Sequence, residues 1–278
     1  MRLISFELDG EEGFGAVVDG RIVRLDRQSG GPCDLKSFLE RHAGENWPDL
    51  PEADRLPLDA VRLRPPVPNP GKVLCVATNF HEPAREGKPD PEFPIVFTRF
   101  AESFTGHEQP LLKPGVSDKF DFEGELAVVI GRHGHKIPGD RAMDHVAGYT
   151  CLNDGSARDW QKHSTQFTPG KNFHRSGSLG PWLVTADEIP DPTTLRLQTR
   201  VNGVVKQEIG MDRMIFSIAW LISYFSTFTP LAPGDVIATG TPSGFGSSRT
   251  PPEFLSAGDE IEVDISHIGT LRNVVRAD

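Results

Sequence analysis

Short apolar blocks closed by glycine, proline, asparagine or aspartate recur along this chain, a pattern that predicts many strands and few helices. Residues 2–8, 14–18 and 21–23 read as strands, the last two joined at Asp19-Gly20, a hairpin signal. Residues 34–41 carry the start signal and spacing of a brief helix. Four prolines at 65, 66, 68 and 70 then stiffen a connection that ends at Gly71, so residues 1–66 are expected to form a small N-terminal domain and residues 70–278 the main one. Further strands are expected at 72–78, 95–99, 122–131, 146–152, 181–185, 195–201, 204–207, 235–239, 260–265 and 271–275, with a second hairpin signal at Asn202-Gly203. Ile215, Ile218, Ala219, Ile222 and Phe225 recur at helical spacing, which predicts a core-facing helix over 214–228. The class is α+β, mainly β, without a repeat of fixed period.

The block from Phe122 to Gly131 changes this picture from architecture to chemistry. Alternation along a strand puts Glu123, Glu125, Ala127 and Val129 on one face and Leu126, Val128 and Ile130 on the other. Apolar residues on both faces indicate a strand covered on both sides. Two neighbouring carboxylates with little water would drive one to protonate unless a positive charge compensates, and oxygen-only ligands suit a divalent cation. The alternative is a wet strand end where both pair with arginines. Asp154 stands at the end of the 146–152 strand, placed to point into the same pocket. Ser156 is a candidate cap for a short helix, with Asp159 completing a variant capping box, and Arg158 and Gln161 share one face of that helix.

Composition narrows the partners. The chain has 278 residues, 37% of them hydrophobic, enough for a substantial core. Its 28 glycines and 24 prolines favour strands and turns over a helical bundle. A formal net charge of −10 without a basic stripe argues against nucleic acid or anionic membrane as partners. No apolar run is long enough to span a bilayer, and residues 1–10 include Glu7 and Asp9 and lack the apolar core of a secretion signal. Cys33, Cys75 and Cys151 read as reduced thiols, which points to a cytoplasmic protein. The His133-Gly134-His135 motif, flanked by Arg132 and Lys136, reads as a surface turn, and neither 170–172 nor 240–246 has the context of a nucleotide-binding loop.

The Glu-Gly-Glu-Leu-Ala-Val-Val-Ile-Gly block, the Asn153-Asp154 segment running to Gln161, Gly170-Lys171-Asn172 and the loop from Gly234 to Pro242 together resemble the fumarylacetoacetate hydrolase family over residues 72–275. The resemblance implies a mixed β-sheet roll in layers with few helices and a small leading domain. It also implies a homodimer and a divalent metal, Mg²⁺ with Mn²⁺ or Ca²⁺ as substitutes. On the family pattern Glu123, Glu125 and Asp154 are the metal ligands, Arg158, Gln161 and Thr241 hold an oxo-acid substrate, and Lys171 stabilises an enolate. The implied chemistry is hydrolysis of a C–C bond in acylpyruvate-like β-diketo acids. Decarboxylation or isomerisation of 2-oxo or 2-hydroxydienoic diacids in aromatic catabolism is the alternative, because all pass through an enolate. The family's water-activating His–Glu pair has an incomplete counterpart. Glu86 matches, Pro83 occupies the histidine position, and His81 lies two residues early as its candidate replacement.

Overall fold

The computed structural model describes residues 1–27, 31–42, 47–50, 55–82, 86–87 and 89–278. Its spine is a mixed sheet whose path runs Arg55–Pro57, Arg21–Arg24, Glu11–Val18, Arg2–Leu8, Gly177–Thr185, Val146–Asn153, Gly124–Ile130, Val236–Ala238, Val73–Val76 and Val96–Thr98. A five-stranded sheet stands beside it in the order Val204–Gly210, Arg196–Val201, Glu260–Ile265, Gly269–Ala277 and Leu111–Lys113. The chain is mainly β with few helices. Arg2 and Leu3 pair with Val184 and Leu183, so the strands of the leading segment continue the same sheet across the proline-rich connection.

The Gly124–Ile130 strand is buried at every position. Leu126, Val128 and Ile130 pack with Leu197, Val263 and Leu271 of the second sheet and with Leu221, Ile222 and Phe225 of the main helix. Ala127 and Val129 face the other way, onto Leu3, Phe14, Phe38, Val73 and Leu183. Each large apolar side chain so covered contributes roughly 1.5–3 kcal/mol relative to exposure. That burial holds the strand rigid where its acidic end begins.

Both expected hairpin turns form, with Asp19 and Asn202 in the left-handed region at φ 50° and 51°, each followed by a glycine of positive φ. The main helix runs Ile218–Phe228, later than the periodicity predicts, because Ser217 accepts from the Trp220 amide and caps it there, behind a 3₁₀ turn at Met211–Arg213. The capping box expected at Ser156 does not form. Ser156 Oγ instead donates to the Asp154 carbonyl (2.8 Å), Asp159 accepts from Ser117 (2.6 Å), and the helix shrinks to Arg158–Gln161. The glycine-bounded stretch 106–115 contains the Leu111–Lys113 strand, which pairs in parallel with Gly269–Ala277. His133 and His135 are exposed, Cys75 and Cys151 buried, and all three cysteines free. Among the described residues no helix is long and apolar enough to cross a membrane.

Candidate metal centre

Where the central strand ends, its neighbours bring acids together. Gly124 sits opposite Asn153, and the Asp154 amide donates to the Glu123 carbonyl (2.8 Å), so Asp154 lies across from Glu123. Glu123, Glu125 and Asp154 each present a carboxylate oxygen within 4.8 Å of the others, and all three residues are buried. Gly124 is required between the glutamates, since a Cβ there would collide with Thr199 Oγ1.

Three cations offset the acids. Lys171, 1% exposed, ends the short helix Thr168–Lys171, and its Nζ lies 2.5 Å from both Glu123 Oε2 and Asp154 Oδ2. Gly170 lets that helix approach Arg158–Gln161, because any Cβ would run into the Gln161 backbone. Arg158 contacts Glu123 Oε1 (2.6 Å) and Asp121 Oδ2 (2.7 Å), and donates to Gln161 Oε1 (3.0 Å). Arg99 donates to Asp154 Oδ1 (2.5 Å) from a buried position. Asp121, Glu123, Glu125 and Asp154 against Arg99, Arg158 and Lys171 leave a formal charge of −1.

The fields act in opposite directions on neighbouring groups. Burial, reinforced by the charges of Asp154 and Glu123, pushes the Glu125 carboxyl well above the usual carboxylate range. Burial acts the same way on Asp154, but the Lys171 and Arg99 charges outweigh it and hold that carboxyl low. Lys171 and Arg158 are raised, since their carboxylates outweigh the burial that would discharge them. Burial pushes the Cys75 thiol up, which leaves it a poor nucleophile.

One oxygen of this cluster is orphaned. Glu125 Oε2 accepts from the Gly240 amide (2.8 Å), whereas Glu125 Oε1 is buried without a hydrogen-bond partner among the described residues. A buried acceptor of this kind, beside two further carboxylates, fits a hard divalent cation with oxygen ligands.

The remaining candidate residues lie further out. Thr241 is 2% exposed, its hydroxyl donating to the Gly124 carbonyl (3.0 Å) and accepting from Gln207 (2.9 Å), so its side chain braces the acidic strand. Gln161 and Arg158 line a cavity of about 680 Å³ with Lys119, Lys162, Phe167 and Phe254. Arg158 reaches Glu123 from this cavity, and Phe167 stacks edge-on against Phe97, whose ring carries Lys171, so the cavity adjoins the cluster. His81, by contrast, is half-exposed, 3.4 Å from Asp90, with its carbonyl held by Arg213. Glu86 is exposed, and Glu82 accepts from the Ser243 amide (2.6 Å). Pro83 lies outside the described residues.

Two charged residues of the centre escaped the sequence reading. Asp121 accepts from Arg158, the Phe122 amide and the amides of Gly246 and Ser247. Its signal was available, since Asp121, Glu123 and Glu125 stand at alternate positions. Arg99 had only the weaker signal of a charge ending an apolar strand.

Comparison with known proteins follows the same lines. The model of the family described as "Fumarylacetoacetate (FAA) hydrolase C-terminal" matches residues 72–276. A mitochondrial oxaloacetate tautomerase, fahd2 of Xenopus laevis, is 38% identical over 287 aligned residues, covering 99% of this chain and 90% of that protein. The solved structure of a fumarylacetoacetate hydrolase from psychrophilic Exiguobacterium antarcticum superposes over 100% of both chains with a TM-score of 0.91 at 34% identity. A maleylpyruvate hydrolase from Sphingobium sp. SYK-6, solved with manganese(II) and pyruvate, gives 0.81 at 27% identity over 100% of this chain and 99% of that one.

Proposed function

The chain belongs to the fumarylacetoacetate hydrolase family, and from that premise we propose that it is a metal-dependent tautomerase or isomerase of small 2-oxo diacids such as oxaloacetate. The observation that carries this reading is the pairing of a buried three-cation, four-carboxylate cluster with a His81 turned toward Asp90 at the half-exposed loop. Moving a proton between carbon and oxygen needs a stabilised enolate and no activated water, whereas C–C hydrolysis needs both. The likeness to an oxaloacetate tautomerase over nearly the whole chain supports the same choice.

In this reading Arg158 and Gln161 hold the substrate's carboxylate end at the mouth of the cavity, with Thr241 behind them steadying the strand. Lys171 Nζ, charged and dry, donates a hydrogen bond to the substrate oxygen that carries the negative charge of the enolate. Glu123, Glu125 and Asp154 would hold the cation, Mg²⁺ by proposal, which when bound supplies Lewis-acid polarisation of the substrate's oxygens. Homodimerisation, implied by the family, belongs to the proposal as well, and sedimentation would read it.

The test follows ketonisation of enol-oxaloacetate through loss of its enol absorbance, with Mg²⁺ and with a chelator, beside pyruvate release from acylpyruvates. Faster ketonisation only with metal is expected. Cleavage of acylpyruvates without any effect on oxaloacetate would return the assignment to the hydrolase, and dependence of that cleavage on His81 would strengthen the reversal.

A further inference from the structure

Apart from what Lys171 holds, each carboxylate of the triad has one oxygen engaged by another group of the protein. Arg158 takes Glu123 Oε1, the Gly240 amide takes Glu125 Oε2, and Arg99 takes Asp154 Oδ1. Of the other oxygens, Glu123 Oε2 and Asp154 Oδ2 each accept from Lys171 Nζ (2.5 Å), and Glu125 Oε1 is orphaned. Of the three locks, the one at Arg99 is the most completely built. Its Nε donates to Ser103 Oγ (3.0 Å), and one terminal nitrogen serves Asp154 Oδ1 (2.5 Å) and the Gly155 carbonyl (3.0 Å). The other serves the Ser103 carbonyl (3.3 Å) and Ser176 Oγ (3.1 Å), while the Phe104 ring covers the guanidinium at 4.5 Å. Gly177 makes room for this fork, because a Cβ there would come within 2.7–2.9 Å of it. A planar guanidinium fixed on every edge holds the carboxylate it faces in one orientation.

We propose that Arg99 is a positioning residue that fixes Asp154 as a one-oxygen ligand, and that it thereby makes the triad selective for a small octahedral cation over Ca²⁺. The inference rests on the reading that the triad holds a divalent cation. Mg²⁺ accepts single oxygens at short range and fills its octahedron with water or substrate, whereas Ca²⁺ gains from larger ligand numbers and two-oxygen carboxylates. A carboxylate edge clamped by a guanidinium that is itself fixed on every edge cannot turn its second oxygen toward a metal, whereas the oxygen held by the flexible Lys171 ammonium can, so the arrangement penalises the larger ion.

The experiment measures Mn²⁺ bound to the full-length protein by the electron paramagnetic resonance of the free ion, then titrates Mg²⁺ and Ca²⁺ as competitors. Wild type should need on the order of tenfold more Ca²⁺ than Mg²⁺ for half-displacement. Arg99→Lys keeps the charge but loses the fork, and should narrow that ratio to roughly threefold or less. Gly177→Ala, which displaces the guanidinium without removing it, should narrow it in the same sense and serves if Arg99→Lys does not fold. A ratio unchanged in both variants overturns the inference, as does a uniform loss of affinity for all three ions, which would make Arg99 merely structural. Wild type that binds no Mn²⁺ overturns the metal reading itself, a result distinct from an unaltered ratio.

Discussion

Replacing Lys171 by methionine tests the charge balance of the centre most directly. The ammonium is 1% exposed and lies 2.5 Å from two carboxylates, so Lys171→Met removes one partner of a buried ion pair and strands the others. Methionine fills similar volume and packs favourably on the Phe97 ring that carries Nζ, which keeps the perturbation electrostatic. The cluster's formal charge moves from −1 to −2, and removing one member of such a pair costs about 3–5 kcal/mol. At roughly 2–4 °C per kcal/mol in a chain of this class, the melting temperature should fall by about 6–20 °C in chelator. A divalent cation would return the charge the variant lacks, on the oxygens Lys171 had occupied. Metal at about a hundred times its Kd adds about 2.7 kcal/mol of stability, so most of the loss should be recovered. The assay is thermal unfolding of both proteins in chelator and across a Mg²⁺ and Mn²⁺ series. A loss below about 1 kcal/mol, or a metal-dependent gain no larger than that of wild type, would refute the reasoning. Turnover should fall by about 10²–10³ whether or not stability is restored, since the donor to the developing charge is gone.

Three further outcomes follow from the geometry. Gly124→Ala drives a Cβ into Thr199 Oγ1 between the two glutamates, so it should destabilise the fold by about 1–3 kcal/mol and weaken Mn²⁺ binding, measured by denaturant unfolding and metal titration. Asp121→Asn turns an amide toward four donors, one of them Arg158, and should cost about 1–3 kcal/mol while raising KM more than it lowers kcat; unaltered KM would remove Asp121 from the positioning of Arg158. Asp34 caps the Leu35–His42 helix by accepting from the Ser37 amide, and burial, which raises its carboxyl, is outweighed by the Ser37 hydrogen bonds, so it lies below the ordinary 3.8. Its contribution is therefore complete above pH 3.8 and lost as pH falls through the lower folded value, so Asp34→Ala should cost about 1 kcal/mol at neutral pH and progressively less in acid unfolding below that window.

Local pattern carried much of the architecture. The two-faced apolar run at Leu126–Ile130, the Asp19-Gly20 and Asn202-Gly203 turns and the alternation at Glu260–Ile265 are all readable because backbone period and turn chemistry act within a few residues. Competing local chemistry explains the misses. Ser156 had a cap's identity and spacing, yet the Asp154 carbonyl and the short pairing of Phe120–Asp121 with Ser156–Ala157 took its hydroxyl and backbone. At the main helix Ser217 offered a cap that the apolar stripe, which begins earlier, does not reveal.

By itself the sequence determined that this chain is mainly β, that two glutamates share one face of a covered strand, and that its motifs resemble one enzyme family. Only the tertiary structure decided that Arg99 and Asp121 join those glutamates and which charge pairs with which. Arg99, Asp121, the stretch bearing Asp154 and Arg158, and Lys171 come from separate segments, and their convergence depends on strand register, sheet order and the close approaches that Gly124, Gly170 and Gly177 permit. It also decided that the leading segment continues the large sheet and that His81 turns toward Asp90. Periodicity reports which face a residue occupies, whereas a buried charge is stabilised by partners distant in sequence, and that pairing exists only once the sheets have closed around it.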